Sequence, residues 1–156
     1  MSTTLSPNDR LLESPANPSP VLDQLLGYQA RRAALHIIAQ FHEDLKNLNL
    51  RPVTFSVMSL VGHQDGITAR EVCTALGIQP PNVVGIVNDL CQRGWVERQP
   101  HPTDGRALGL HLTPAGQTML AEAEDLAVAS DRQVSAHLSA HERQTLLRLL
   151  RKLREA

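Results

Sequence analysis

The sequence predicts a mainly α-helical chain interrupted once by a short β-hairpin. Three observations predict it. Apolar residues recur at three and four along most of the 156 residues. One run alone alternates at a period of two: Leu108, Leu110 and Leu112 with Gly109 and His111 between them. Helix starts and stops are marked by capping boxes at Thr68 and Ser139 and by glycines at 77 and 94. A chain of this length suits one domain with a real core.

Residues 1–20 hold Pro7, Pro15, Pro18 and Pro20 among Ser, Thr and Asn, the composition of a mobile arm. From Val21 to about Leu48 the spacing predicts one long helix with two stripes. Leu22, Leu26, Ala30, Ala33, Ile37, Phe41 and Leu48 form the first; Tyr28, Arg31, Leu35, Ile38 and His42 form the second. Two apolar faces on one helix suggest two packing surfaces. Pro52 opens the next helix, with Phe55, Val57, Met58, Leu60 and Val61 expected inside and His63 at its end.

The stretch from Gly66 to Gly116 organises the rest. Thr68-Ala69-Arg70-Glu71 is a capping box, because the Thr oxygen can accept from the amide three residues on while the Glu reaches back. Gly77 stops that helix, and Pro80-Pro81 pre-sets the backbone for another carrying Val83, Ile86, Val87 and Leu90. Two short helices joined by a tight break form a helix-turn-helix, whose second helix can lie in a DNA major groove. A hairpin follows. Its tip, Pro102 to Arg106, contains Asp104-Gly105, a pair that readily takes positive φ. Thr113-Pro114 then starts a long helix to about Leu138, and Ser139-Ala140-His141-Glu142 caps a last helix rich in leucine. That leucine face needs a partner, and the first helix of a second subunit is a natural one.

These motifs together resemble the MarR (multiple-antibiotic-resistance regulator) family of winged helix-turn-helix proteins. The resemblance is carried by Asp65-Gly66-Ile67-Thr68, Glu71-Val72, Leu76-Gly77-Ile78, Val87-Asn88-Asp89-Leu90, Arg93 to Arg98, Asp104-Gly105-Arg106 and Leu112 to Gly116. It is continuous over the central third. Leu50 to Phe55 also looks like the family's start of helix two. The resemblance implies a homodimeric DNA-binding repressor, often released from duplex DNA by a small molecule. The expected division is a mobile arm over 1–20, a helical dimerisation region from 21–50 and 114–156, and a winged helix-turn-helix over 51–113.

Residue chemistry then assigns roles. Gln79, Asn82 and Asn88 carry amides able to read adenine edges, and Val83 is expected to meet a thymine methyl. For Asn88, a helix-surface role stands equally. Arg93 and Arg98 are expected on phosphates, and Arg106 in a narrow minor groove with Asp104 holding its guanidinium. Asp104 as a simple turn former is the competing reading. Val84 and Gly85 stand where the resemblance leads one to expect polar or basic residues, which shifts weight to shape readout by the wing. For the effector, a small organic acid, aromatic ones included, is expected. Arg31 would be its anion partner, with Tyr28, His42 or His63 nearby. For Arg31 and His42, snorkelling or an intersubunit salt bridge ranks ahead of this; for His63, a place at a helix C-terminus favoured by the dipole is the competing reading. In the resemblance the effector cleft lies between the long first helix, the second helix and the helix after the wing.

Other chemistries find little support. Net charge is −1, without a strongly basic footprint, which leaves a winged-helix protein-interaction module as a second reading. Cys73 and Cys91 leave a redox-sensing regulator open, although Cys73 reads as a core residue. His137 and His141 have helical metal spacing, but the Ser139 cap falls between them, and no metal or cofactor is expected. No nucleophile elbow, phosphate loop or carboxylate pair appears, so no catalytic residue is assigned. No apolar run approaches a membrane span, and the N-terminus lacks a signal pattern; a reducing cytoplasm is expected.

Overall fold

The computed structural model describes residues 19–100 and 107–155. The expected arm over 1–20 therefore lies outside the described residues except for Ser19 and Pro20. Contacts divide the chain into two compact units, Met1–Gln40 and Phe41–Ala156.

The described part of the first unit is helical. Pro20 sits in the first turn of α1 (Pro20–Gln24), where its missing N–H removes no helix bond. Leu25 is extended, and α2 (Leu26–Asp44) starts after it. The single helix expected from Val21 to about Leu48 is thus broken near its start. The Gln29 amide donates to the Asp23 carbonyl at 3.0 Å and satisfies an acceptor that the end of α1 leaves open. No residue of α2 is buried within the chain; Leu35, Ile37 and Ile38 are all exposed.

In the second unit, α2 gives way to a 3₁₀ turn, Lys46–Leu48, and then to Asn49 with φ 52°. The flanking Leu45 and Leu50 are both fully buried. Turning both inward demands a reversal too tight for a continuing α-helix, and asparagine tolerates the left-handed backbone that makes it. This is why the helix does not reach Leu48.

Helix α3 (Pro52–His63) buries Val57, Met58 and Val61 as expected, and Thr54 besides. Next come α4 (Ala69–Leu76) and α5 (Pro80–Gln92). The Thr68 capping box is complete: Glu71 N donates to Thr68 Oγ1, and the Glu71 carboxylate accepts from Thr68 N at 2.8 Å. Strands β2 (Val96–Pro100) and β3 (Leu108–Leu112) pair antiparallel, with Val96 opposite Leu112 and Pro100 opposite Leu108. A third strand, β1 (Ile67–Thr68), pairs with the other edge of β3, giving the order β1-β3-β2. Two residues are too few to show a period, so this strand was not legible in the sequence.

Helix α6 (Pro114–Val134) is fixed at its start by Thr113. The hydroxyl accepts from Gly116 N at 3.0 Å and donates to the Gly94 carbonyl at 2.6 Å. Gly116 must be glycine, because a Cβ there would collide with the Trp95 carbonyl. These contacts fix the root of the hairpin, where β2 begins and β3 ends. After a turn comes α7 (Ala140–Arg154), capped by Ser139 and Glu142 as expected. An Arg143–Asp131 ion pair ties it back to α6. No residue of α7 is buried.

Candidate nucleic-acid interface

Helix α5 is the helix that packing presents outward. Val83, Val87 and Leu90 fall on one side and are buried in a core with Val57, Met58, Val72 and Leu110. At about 100° per residue, the opposite side is Pro81, Gly85, Asn88 and Gln92. All four are exposed, and Asn82 and Val84 flank them. Gln79 precedes the helix as its N-cap residue, also exposed, with its side chain making no cap hydrogen bond.

Val83 therefore departs from its expected role. It is 0 % exposed, whereas Val84 is 49 % exposed. The sequence places two valines side by side, and the helical period sends one into the core and the next to the surface. A thymine methyl can meet Val84 and cannot meet Val83.

Asn88 and Arg98 meet. The Arg98 guanidinium donates to Asn88 Oδ1 at 2.7 Å, joining the outward helix to β2. Arg93 is engaged inside the protein instead of standing free for phosphate. Its Nε lies 2.9 Å from Asp89, its Nη1 donates to the Asn49 carbonyl at 2.9 Å, and it stacks 5.1 Å from the Trp95 ring centre. Three partners hold it as a strut between the end of α5 and the left-handed turn at Asn49. Asp104 and Arg106 lie outside the described residues.

The same turn and helix enclose a groove of about 750 Å³. Its lining includes the polar Lys46, Arg51 and Asn82 and the apolar Leu50, Val53 and Ile86. Sequence reasoning missed Lys46 and Arg51. They lie 30 or more residues before Asn82, and only the fold brings them beside α5.

The four expected effector residues divide between the two units. Tyr28 and Arg31 belong to the first unit; His42 and His63 belong to the second. His42 lines the groove, and His63 does not. His63 Nε2 lies 2.7 Å from Glu124 Oε1, which also accepts from Ser59 Oγ at 3.3 Å, so it links α3 to α6. His111 Nδ1 makes a similar contact with Asp65 at 2.7 Å at the base of the sheet. Cys73 and Cys91 are half-buried free thiols packed against the core. Among the described residues no group of three or more His, Cys, Asp or Glu is placed to hold a metal ion. No described helix is long and apolar enough to cross a membrane.

Comparison with known proteins bears on this geometry. The MarR family model matches residues 48–107, the span from the 3₁₀ turn to the far side of the hairpin. A putative transcriptional regulatory protein for the hcr operon of Thauera aromatica is 30% identical over 129 residues, covering 82% of this chain and 78% of that protein. Among solved structures, the transcriptional repressor CouR bound to a 23-mer DNA duplex superimposes with a TM-score of 0.81 at 32% identity, covering 86% of this chain and 95% of that one. Bordetella bronchiseptica BpsR, whose DNA binding is regulated by 6-hydroxynicotinic acid, superimposes with a TM-score of 0.80 at 25% identity, over 86% of this chain and 96% of that one. This chain belongs to the MarR family, a family of transcriptional regulators.

Proposed function

We propose that the chain is a homodimeric transcriptional repressor that binds near-palindromic duplex DNA in the cytoplasm and is released by a small organic acid. The observation that carries the reading is α5 itself. Its apolar face is satisfied by the chain's own core, and its opposite face offers Asn82, Val84, Asn88 and Gln92 to solvent. Amides of this kind suit adenine edges, and an exposed valine suits a thymine methyl. Arg98 reaches phosphate from β2 while steadying Asn88; Gln79 lies at the helix mouth; Arg106, with Asp104, enters the adjacent minor groove. The exposed apolar faces of α2 and α7 support a second copy covering them, so that residues 21–50 and 114–156 form the dimer region around a winged helix-turn-helix over 51–113. Two copies of α5 then stand about 34–36 Å apart, one DNA turn.

The effector is a small organic acid, aromatic ones included, in keeping with the 6-hydroxynicotinic acid that regulates BpsR, and Arg31 is its anion partner. Any acid that favours another spacing of the two α5 helices weakens DNA binding by the same factor by which DNA weakens the acid. The test is fluorescence anisotropy on duplex DNA from upstream of the protein's own gene. Binding should fall steeply with salt and drop on Arg106→Ala. It should also be relieved by salicylate or 6-hydroxynicotinate in the wild type and not in Arg31→Ala. Absence of binding at low salt would leave the protein-interaction reading in its place.

A further inference from the structure

A helix with its side chains is about 10–12 Å across, and the major groove is about 12 Å wide. An inserted helix is therefore flanked by phosphodiester strands on both sides. On one flank of α5 stands Arg98, bonded to Asn88. The sequence offers no cation for the other flank, because α5 contains no Lys or Arg of its own. The fold provides two.

The second flank is the groove described above. It is lined from α5 by Asn82, Ile86 and Asp89, which at about 100° per residue lie roughly 120° around the helix from Asn88, and by Pro81 and Gly85 nearer to Asn88. Gly85 falls between the two flanks. Across the groove stand Lys46 and Arg51. Asp89 is the acidic residue in the lining, and Arg93 already pairs with it at 2.9 Å. Among the described residues Lys46 pairs with Glu43 alone, at 3.5 Å, with both side chains mostly exposed, a contact of little strength. Arg51 has no ion-pair partner among the described residues. The groove thus carries two available cations.

We infer that this groove seats the second phosphodiester strand, with Lys46 and Arg51 as its phosphate contacts, closing a two-sided clamp around α5. The inference rests on the operator-binding reading above and adds residues to it. Gly85 fits the same picture. It sits mid-helix, where glycine is unfavourable, yet a Cβ there would meet nothing within 4 Å. Packing does not require this glycine, whereas close approach of the helix backbone to DNA does.

The test uses the full-length protein and the labelled upstream duplex, with binding measured by anisotropy between 50 and 200 mM salt. Arg51→Gln and Lys46→Gln are compared with wild type, and melting curves check that each variant folds. Each phosphate contact contributes roughly 0.9 to the slope of log affinity against log salt, and a dimer presents each residue twice. Each variant should therefore flatten the slope by about 2 and weaken binding about tenfold or more, equally on every sequence. A wild type that binds steeply, with both variants reproducing its slope, overturns the groove inference and leaves the operator reading intact. A wild type that fails to bind even at the lowest salt overturns both. Variants that keep the DNA slope and lose salicylate binding by calorimetry would make the groove a small-acid site and likewise overturn it.

Discussion

Helices α5 and α7 are of similar length and are both amphipathic, but the chain treats them in opposite ways. The apolar side of α5 disappears into the protein: Val83, Val87 and Leu90 are essentially inaccessible. The apolar side of α7 stays in water, with Leu146, Leu147, Leu149, Leu150 and Leu153 left 36–53% exposed. The first helix is complete within one chain, so its remaining face is available for recognition. The second is incomplete, so its remaining face calls for another copy of the chain. On the operator-binding reading proposed above, the difference separates a surface that reads DNA from a surface that builds the assembly.

The sharpest way to break the comparison is to charge α7. Fully burying a leucine stabilises by roughly 1.5–3 kcal/mol, so covering five half-exposed ones is worth several kcal/mol. Leu147→Glu with Leu150→Glu should weaken self-association at least ~100-fold, as a buried unpaired carboxylate is costly. Light scattering should then show monomer at micromolar concentration. Operator affinity should fall with it, because one half-site is bound in place of two. A dimer that survives both charges would show that α7 faces solvent in the assembly.

The adjacent valines of α5 sharpen the other half. Val83→Ala removes two buried methyls and should cost about 2 kcal/mol of stability. Val84→Ala, at the surface, should change stability by less than about 0.5 kcal/mol while altering which base pairs are preferred. Thermal melts and a binding-site selection separate the two effects. Equal melting losses at both positions would contradict the packing described here.

These valines also mark how far the sequence was legible. The helices, both capping boxes, the glycine stops and the hairpin follow from local signals: an oxygen three residues before an amide, a missing Cβ, a period of two or of nearly four. The stripe of Val83, Ile86, Val87 and Leu90 already marks Val83 as the inward valine, and giving it to a thymine methyl set that period aside. Tertiary packing alone decides the place of Arg93, whose partners include a carbonyl 44 residues earlier, and of Lys46 and Arg51, which reach α5 only through the reversal at Asn49. Contacts made across long separations leave no mark in a short window of sequence.

A smaller effect is expected at Gly85. Glycine in a helix interior costs about 1 kcal/mol relative to alanine, and the space around this one is open. Gly85→Ala should raise stability by about that amount. It should nevertheless reduce operator affinity several-fold if the backbone approaches the base pairs closely. A variant that is both more stable and equally tight on DNA would remove the argument for close approach.

The least effect belongs to the cap of α7, and it carries a pH signature. Hydrogen bonds from the Ser139 hydroxyl, and then from the Ser139 backbone N–H, hold the Glu142 carboxyl below the ordinary glutamate range. A depressed folded-state value means that the charged cap stabilises the helix start above the ordinary glutamate value of about 4.3. That contribution disappears as pH falls through the lower folded-state value. Glu142→Gln keeps a side chain able to close the box but removes the charge that favours a helix N-terminus. The gap in melting temperature between wild type and this variant should therefore be present at pH 7 and close progressively below about pH 4. A gap that stays constant on acidification would place the stabilisation in the shape of the cap and not in its charge.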